Sequence, residues 1–234
     1  MRKLLVAFGD SWTFGSELDK PQRDAWPQLV ANKIGAGLVN LGTPASSIGH
    51  LTVQLFNFLD QYPNYKDYRT TFMVGLTAQS RYLSYSNASD EFVNITPDAV
   101  YRTGDIRPTG QPPEDIGHLS GVKELHYRLV DHSNYSEFLA AQTIFLFQQV
   151  VNNYRIDTLF FSYFDEINLQ KYSFIDQHCI LPTTITKTLT GQEYKIPNIR
   201  DNVYFKNKLF HPNEQGHQAI ADLLINFYEK NYST

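Results

Sequence analysis

The sequence predicts a doubly wound α/β domain. Three observations predict it. Short, almost wholly apolar runs read as strands buried on both faces. Amphipathic stretches of helical period alternate with those runs. A length of 234 residues suits one large domain, spanning 1–234, better than two small ones.

The elements follow in order. Residues 3–8 are apolar and stop at Gly9, as a buried first strand would. Residues 24–34 have helical spacing, with Trp26, Leu29, Val30 and Ile34 on one face. Asp24 is the expected N-cap, Pro27 sits in the first turn, and Gly35 and Gly37 close the helix. Residues 38–41 read as a second strand. Ser46 or Ser47 can cap a helix carrying Leu51, Leu55, Phe58 and Leu59. Residues 70–76 form a third strand. From about 84 to 133 the chain is rich in Pro, Gly, Asp, Asn and Tyr, and a segment this long without periodicity reads as a lid or excursion. Residues 136–152 return to helix and 156–163 to a fourth strand. A second irregular insertion spans about 165–205. The last helix, 214–228, is built on Ile220, Leu223, Leu224 and Phe227.

Composition narrows the function. A net charge of -4 with no long run of one sign argues against nucleic acid or a membrane surface as partner. The single cysteine, Cys179, rules out an intramolecular disulfide framework and has no motif around it. The apolar run at 4–8 is too short for a signal-peptide core, and no stretch approaches the roughly 20 residues of a membrane span. The expected location is cytoplasmic. The many tyrosines and phenylalanines suit core packing and loop anchoring, or a carbohydrate-stacking surface.

In an open α/β sheet the site lies at the carboxyl ends of the strands. Gly9, Asp10 and Ser11 fall there, as do Asn40 to Gly42, Gly75 to Thr77, and the histidine loop before the last helix. Ser11 follows the first strand through a tight turn, and a serine needs a neighbouring base to act as a nucleophile. His211 is the candidate base: Pro212 stiffens its turn, Asn213 can cap the last helix, and His211 stands just outside it. His217, inside that helix, reads as a packing or capping residue. His118, His126 and His132 in the first insertion are more readily loop histidines than metal ligands. No metal or nucleotide motif is present, so no cofactor is expected. The Gly-x-Ser-x-Gly elbow is also missing.

Phe8-Gly9-Asp10-Ser11-Trp12 and His211-Pro212-Asn213 with Gly216-His217 resemble the first and last blocks of the SGNH (GDSL) hydrolases. The resemblance implies a three-layer α/β/α, flavodoxin-like sheet of about five mainly parallel strands. It implies a serine that attacks an ester carbonyl, a histidine that takes its proton, and an oxyanion hole. It assigns that hole to the Ser11 amide, a block-two amide and a block-three side chain. Ala45 stands where the block-two glycine belongs, with Gly42 as an alternative donor, and Thr77 stands at the block-three asparagine. Arg81 offers a further charged donor. Asp10 either braces the turn or takes part directly; Trp12 either packs beside the site or walls the acyl or sugar group.

The family's triad acid stands three residues before the histidine, where this chain has Lys208. Three readings stay open: a Ser11–His211 dyad, an acid supplied by Asp165, Glu166 or Asp201, or a pocket that only binds. The expected activity is cleavage of a short acyl ester, such as an O-acetyl group on a carbohydrate. The alternative is a glycan- or partner-binding module on the same fold.

Overall fold

Strands without a polar face must be covered on both sides. In a computed structural model of the chain, which describes residues 1–78, 81–86, 91–95, 100–102, 133–154, 156–192, 202–205 and 211–232, they are. β1 (Lys3–Phe8), β2 (Ala36–Asn40), β3 (Arg69–Leu76) and β7 (Asp157–Ser162) form one parallel sheet in the order β2-β1-β3-β7. The fifth expected strand is reduced to a bridge beside β7. The Phe160 N–H donates to the Cys179 carbonyl and the Leu181 N–H to the Phe160 carbonyl, both at 2.8 Å. Pro182 follows directly and has no N–H to extend that ladder.

The period of two along each strand sorts the core into two layers. Leu5, Ala7, Met73, Leu159 and Phe161 face one side, where they meet α3 (Trp26–Ile34) and the last helix, α7 (Glu214–Tyr232). Val6, Phe8, Phe72, Val74 and Phe160 face the other, under α4 (Ile48–Gln61) and α5 (Ser133–Tyr154). On that second side Phe8 makes edge-on contacts with Phe58, Phe72 and Phe147, with centroids 6.3, 5.0 and 5.1 Å away. Edge-to-face packing of this kind adds to the burial of each ring.

Two helix starts differ from expectation in an informative way. Asp24 ends a separate turn, α2 (Pro21–Asp24), and pairs with Arg23 at 2.6 Å. Proline early in that turn favours helix before residue 24, so the cap moves to Ala25, which has no side chain to offer. The Trp26 N–H instead donates to His217 Nδ1 at 3.1 Å, so α7 caps α3. At α4, Ser47 is the cap and accepts from the His50 N–H.

The described part of the first insertion is an antiparallel sheet of β4 (Tyr82–Ser86), β5 (Glu91–Ile95) and β6 (Val100–Arg102). The described part of the second carries one short helix, α6 (Ile185–Thr190). Among the described residues no helix is long and apolar enough to cross a membrane.

Removing the ring at the centre of the second layer tests this packing. Phe8→Ala is expected to cost about 3–5 kcal/mol, as large-to-small changes at fully buried aromatic positions do. Urea unfolding should show the midpoint falling with little change in slope.

Candidate functional site

The site is built on the turn that ends β1. Gly9 has φ 153° and lies so close to Thr13 that a Cβ would stand 2.0 Å from its hydroxyl. Gln54 on α4 clamps its peptide at both ends: the Gly9 N–H donates to Gln54 Oε1 at 3.2 Å, and Gln54 Nε2 donates to the Gly9 carbonyl at 3.0 Å. Asp10, fully buried, then caps α1 (Ser11–Phe14) by accepting from the Trp12 N–H at 2.9 Å. Its second oxygen accepts from Arg81 Nη1 at 2.7 Å. Asp10 therefore braces the turn, the first of its two expected roles.

Register brings the carboxyl ends of two strands together. Phe8 pairs with Val74 on the neighbouring parallel strand, and Ser11 and Thr77 each follow that pair by three residues. Ser11 is nearly buried, and its Oγ has no partner among the described residues. Thr77 is 1% exposed, and its hydroxyl likewise has no hydrogen-bond partner among the described residues. A buried hydroxyl left unpaired is costly unless something that binds there satisfies it.

The block-two turn carries its own signature. Ala45 has φ 62°, in the left-handed region where a non-glycine residue costs roughly 1–2 kcal/mol. The backbone at position 45 thus has a conformation that glycine adopts freely, and its amide has no partner among the described residues. Gly42 does not serve as the alternative donor. Its N–H already donates to Asn40 Oδ1 at 3.0 Å, and a Cβ there would meet the Phe14 nitrogen at 2.4 Å. Arg81 Nη1 is engaged as well: it also reaches the Ser46 carbonyl at 3.3 Å, tying the Ser11 turn to the Ala45 turn. Trp12 is packed, with its ring against Tyr163, Phe164 and Phe205.

The histidine loop reaches the same place. Phe205, against Trp12, bridges Pro212, and the Asn213 N–H donates to the Tyr204 carbonyl at 2.9 Å. His211 Nδ1 lies 3.0 Å from Glu17 Oε2. His211 Nε2 has no partner among the described residues. Glu17 follows Ser11 by six positions, and no sequence motif marks it. The signal that could have found it is its place just past Gly15, the left-handed cap that ends α1 at this sheet edge.

Of the acids expected in this role, Asp165 and Glu166 lie within the described residues. Glu166 is exposed and paired with Lys187. Asp165 accepts from Ser162 Oγ through its backbone carbonyl. Asp201 and Lys208 lie outside the described residues, as do His118, His126 and His132. Among the described residues no cluster of three His, Cys, Asp or Glu side chains could hold a metal. Cys179 is buried, and that burial pushes its thiol up to about 11, away from nucleophilic use at neutral pH.

Beside the site lies a buried polar group that sequence reasoning did not pick out. The Ser47 amide and hydroxyl both donate to Asn94 Oδ1 of β5, at 3.0 and 2.7 Å, and Ser46 Oγ lies 3.0 Å from His50 Nδ1. Desolvation pushes the His50 imidazole down to about 4.

No protein-family model and no curated protein matches the sequence. Solved structures match its fold. A lipolytic protein of the G-D-S-L family from Desulfitobacterium hafniense DCB-2 is 11% identical, covering 96% of this chain and 98% of its own, with TM-score 0.50. The psychrotrophic esterase EstA from Pseudoalteromonas sp. is 12% identical, covers 99% of both chains and has TM-score 0.53. A carbohydrate esterase, described as having divergent catalytic and non-catalytic binding functions, is 14% identical with TM-score 0.50; it covers 99% of this chain and 65% of its own. The likeness is one of fold: this chain has the SGNH-hydrolase fold.

Two outcomes are expected. Ala45→Gly should leave stability unchanged or raise it by up to about 1 kcal/mol, whereas Ala45→Val should lower it by roughly 1–2 kcal/mol in thermal unfolding. The second concerns pH. The His50 value is lower folded than unfolded, so its stabilisation is complete above about pH 6.5 and fades as pH falls toward about 4. The unfolded chain takes up the proton first, at a cost to the fold on the order of 3 kcal/mol across that window. His50→Gln should shrink the difference between urea midpoints measured at the two ends of it.

Proposed function

We propose that the protein is a serine hydrolase that cleaves a short acyl ester, with Ser11 as nucleophile and His211 as general base. The observation that carries this reading is the state of the His211 ring. One nitrogen lies against the carboxylate of Glu17, six positions after Ser11, and neither the other nitrogen nor Ser11 Oγ has a partner among the described residues. Hydrogen bonds between nucleophile and base are often long in an empty site and tighten around substrate.

The chemistry follows from these groups. Ser11 Oγ attacks the ester carbonyl carbon as His211 Nε2 takes its proton. The carbonyl oxygen becomes an oxyanion, for which the Ser11 amide, the Ala45 amide and the Thr77 hydroxyl are the available donors. Collapse of the tetrahedral intermediate breaks the bond to the alcohol, which leaves with the proton from His211. Water then attacks the acyl-enzyme by the same route in reverse and releases the acid and free Ser11.

The substrate class proposed is a small or carbohydrate ester, O-acetyl in the first instance. The aromatic-rich insertions and the carbohydrate esterase among the fold's neighbours support it. Two variants test the chemistry on p-nitrophenyl acetate. Ser11→Ala should abolish turnover and covalent labelling by a fluorophosphonate probe. Thr77→Val, nearly isosteric, should lower kcat by on the order of 100-fold through loss of one oxyanion donor. Full activity in Ser11→Ala would sink the assignment. A wild-type protein that the probe does not label would favour the non-catalytic glycan- or partner-binding alternative.

A further inference from the structure

We infer that Glu17 takes the place of the family's missing acid, as the positioning residue that sets the tautomer of His211 and stabilises its protonated form. The inference rests on the serine-hydrolase reading above and extends it to a residue outside every family motif.

The contact is direct, at 3.0 Å from Glu17 Oε2 to His211 Nδ1, and partly shielded, with the side chains 22% and 16% exposed. Glu17 is also well placed to hold its position. The Gly15 and Ser16 amides both donate to the Ser11 carbonyl, at 3.0 and 2.9 Å, so the loop carrying Glu17 is folded onto the nucleophile's own peptide. The next residue, Leu18, is buried. Glu17 itself has φ 68°, in the left-handed region. Strain of this kind persists where surrounding structure enforces it, and it concentrates at functional sites.

The chemistry is that of orientation and charge. A carboxylate at Nδ1 favours the tautomer with the proton on Nδ1, which leaves the Nε2 lone pair for the Ser11 proton. When Nε2 takes that proton, the imidazolium charge is met by the Glu17 charge, and limited exposure keeps that attraction from being fully screened. In this role the carboxylate orients the ring and no proton passes to it. Nucleophile and acid then belong to one loop, and the histidine loop has only to supply the imidazole. Under that arrangement position 208 is released from carrying an acid.

The test uses the full chain and two independent readouts. Glu17→Gln keeps the side-chain shape and removes the charge; Glu17→Asp keeps the charge and shortens the reach. With p-nitrophenyl acetate, Glu17→Gln should lower kcat by about 100-fold or more while KM moves by less than about threefold, and Glu17→Asp should recover part of the loss. Nitrogen NMR of the neutral His211 ring should show the proton on Nδ1 in the wild type, and a shift toward the other tautomer in Glu17→Gln. A Glu17→Gln kcat within about tenfold of wild type, or a wild-type ring protonated on Nε2, overturns the inference. Activity that survives Ser11→Ala sinks the hydrolase reading instead, and the nitrogen spectrum then decides the role of Glu17 by itself.

Discussion

The Asp10 carboxylate is fully buried, and most of the site hangs on how it is satisfied. A buried charge without partners is strongly unfavourable, so the fold must bring it a cation and hydrogen bonds. One oxygen takes the Trp12 amide and so starts α1, which carries Ser11. The other takes Arg81, which arrives from the far end of β3 and also reaches the Ser46 carbonyl. Three strand-end segments are drawn to one point by a single ion pair. Its energetic worth is less important than its geometry, because a buried pair specifies an arrangement more surely than it stabilises one.

Around that point the backbone is under tension at two positions. Ala45 and Glu17 are non-glycine residues with positive φ, and both flank Ser11 in space or in chain. At Ala45 the conformation is what a glycine would adopt freely, and the amide it presents is the gain. At Glu17 the gain is a carboxylate at His211. Packing behind them supplies the constraint: Trp12 is held among Tyr163, Phe164 and Phe205, and Tyr163 receives a hydrogen bond inside the core from Trp26. The turn that carries Ser11 is thus an extension of the core.

The sheet was readable in advance because burial on both faces leaves a continuous apolar run, and such runs are local. β1, β3 and β7 begin and end within a residue or two of the apolar segments that predict them. Ser11 and His211 were readable for a related reason, as each sits in a short block beside such an element. The cap of α3 was not, because it comes from His217 nearly two hundred residues away. Neither was the fifth strand, since whether residues near Ile180 pair with β7 for one residue or several depends on the path of a long connection.

Sequence alone determined the apolar periodicity, hence the doubly wound sheet, and the strand ends that Ser11 and Thr77 follow. Those follow from patterns a few residues long. Tertiary structure decided the polar partners. Asp10 with Arg81, Gly42 with Asn40, and Glu17 with His211 are each a matter of side chains meeting within about 3 Å. A carboxylate's role depends on where its oxygens end up, and a left-handed turn after α1 carries those of Glu17 to a histidine at the opposite end of the chain. The resemblance looked for an acid beside the histidine in sequence; the fold brings the histidine ring a carboxylate from beside the serine.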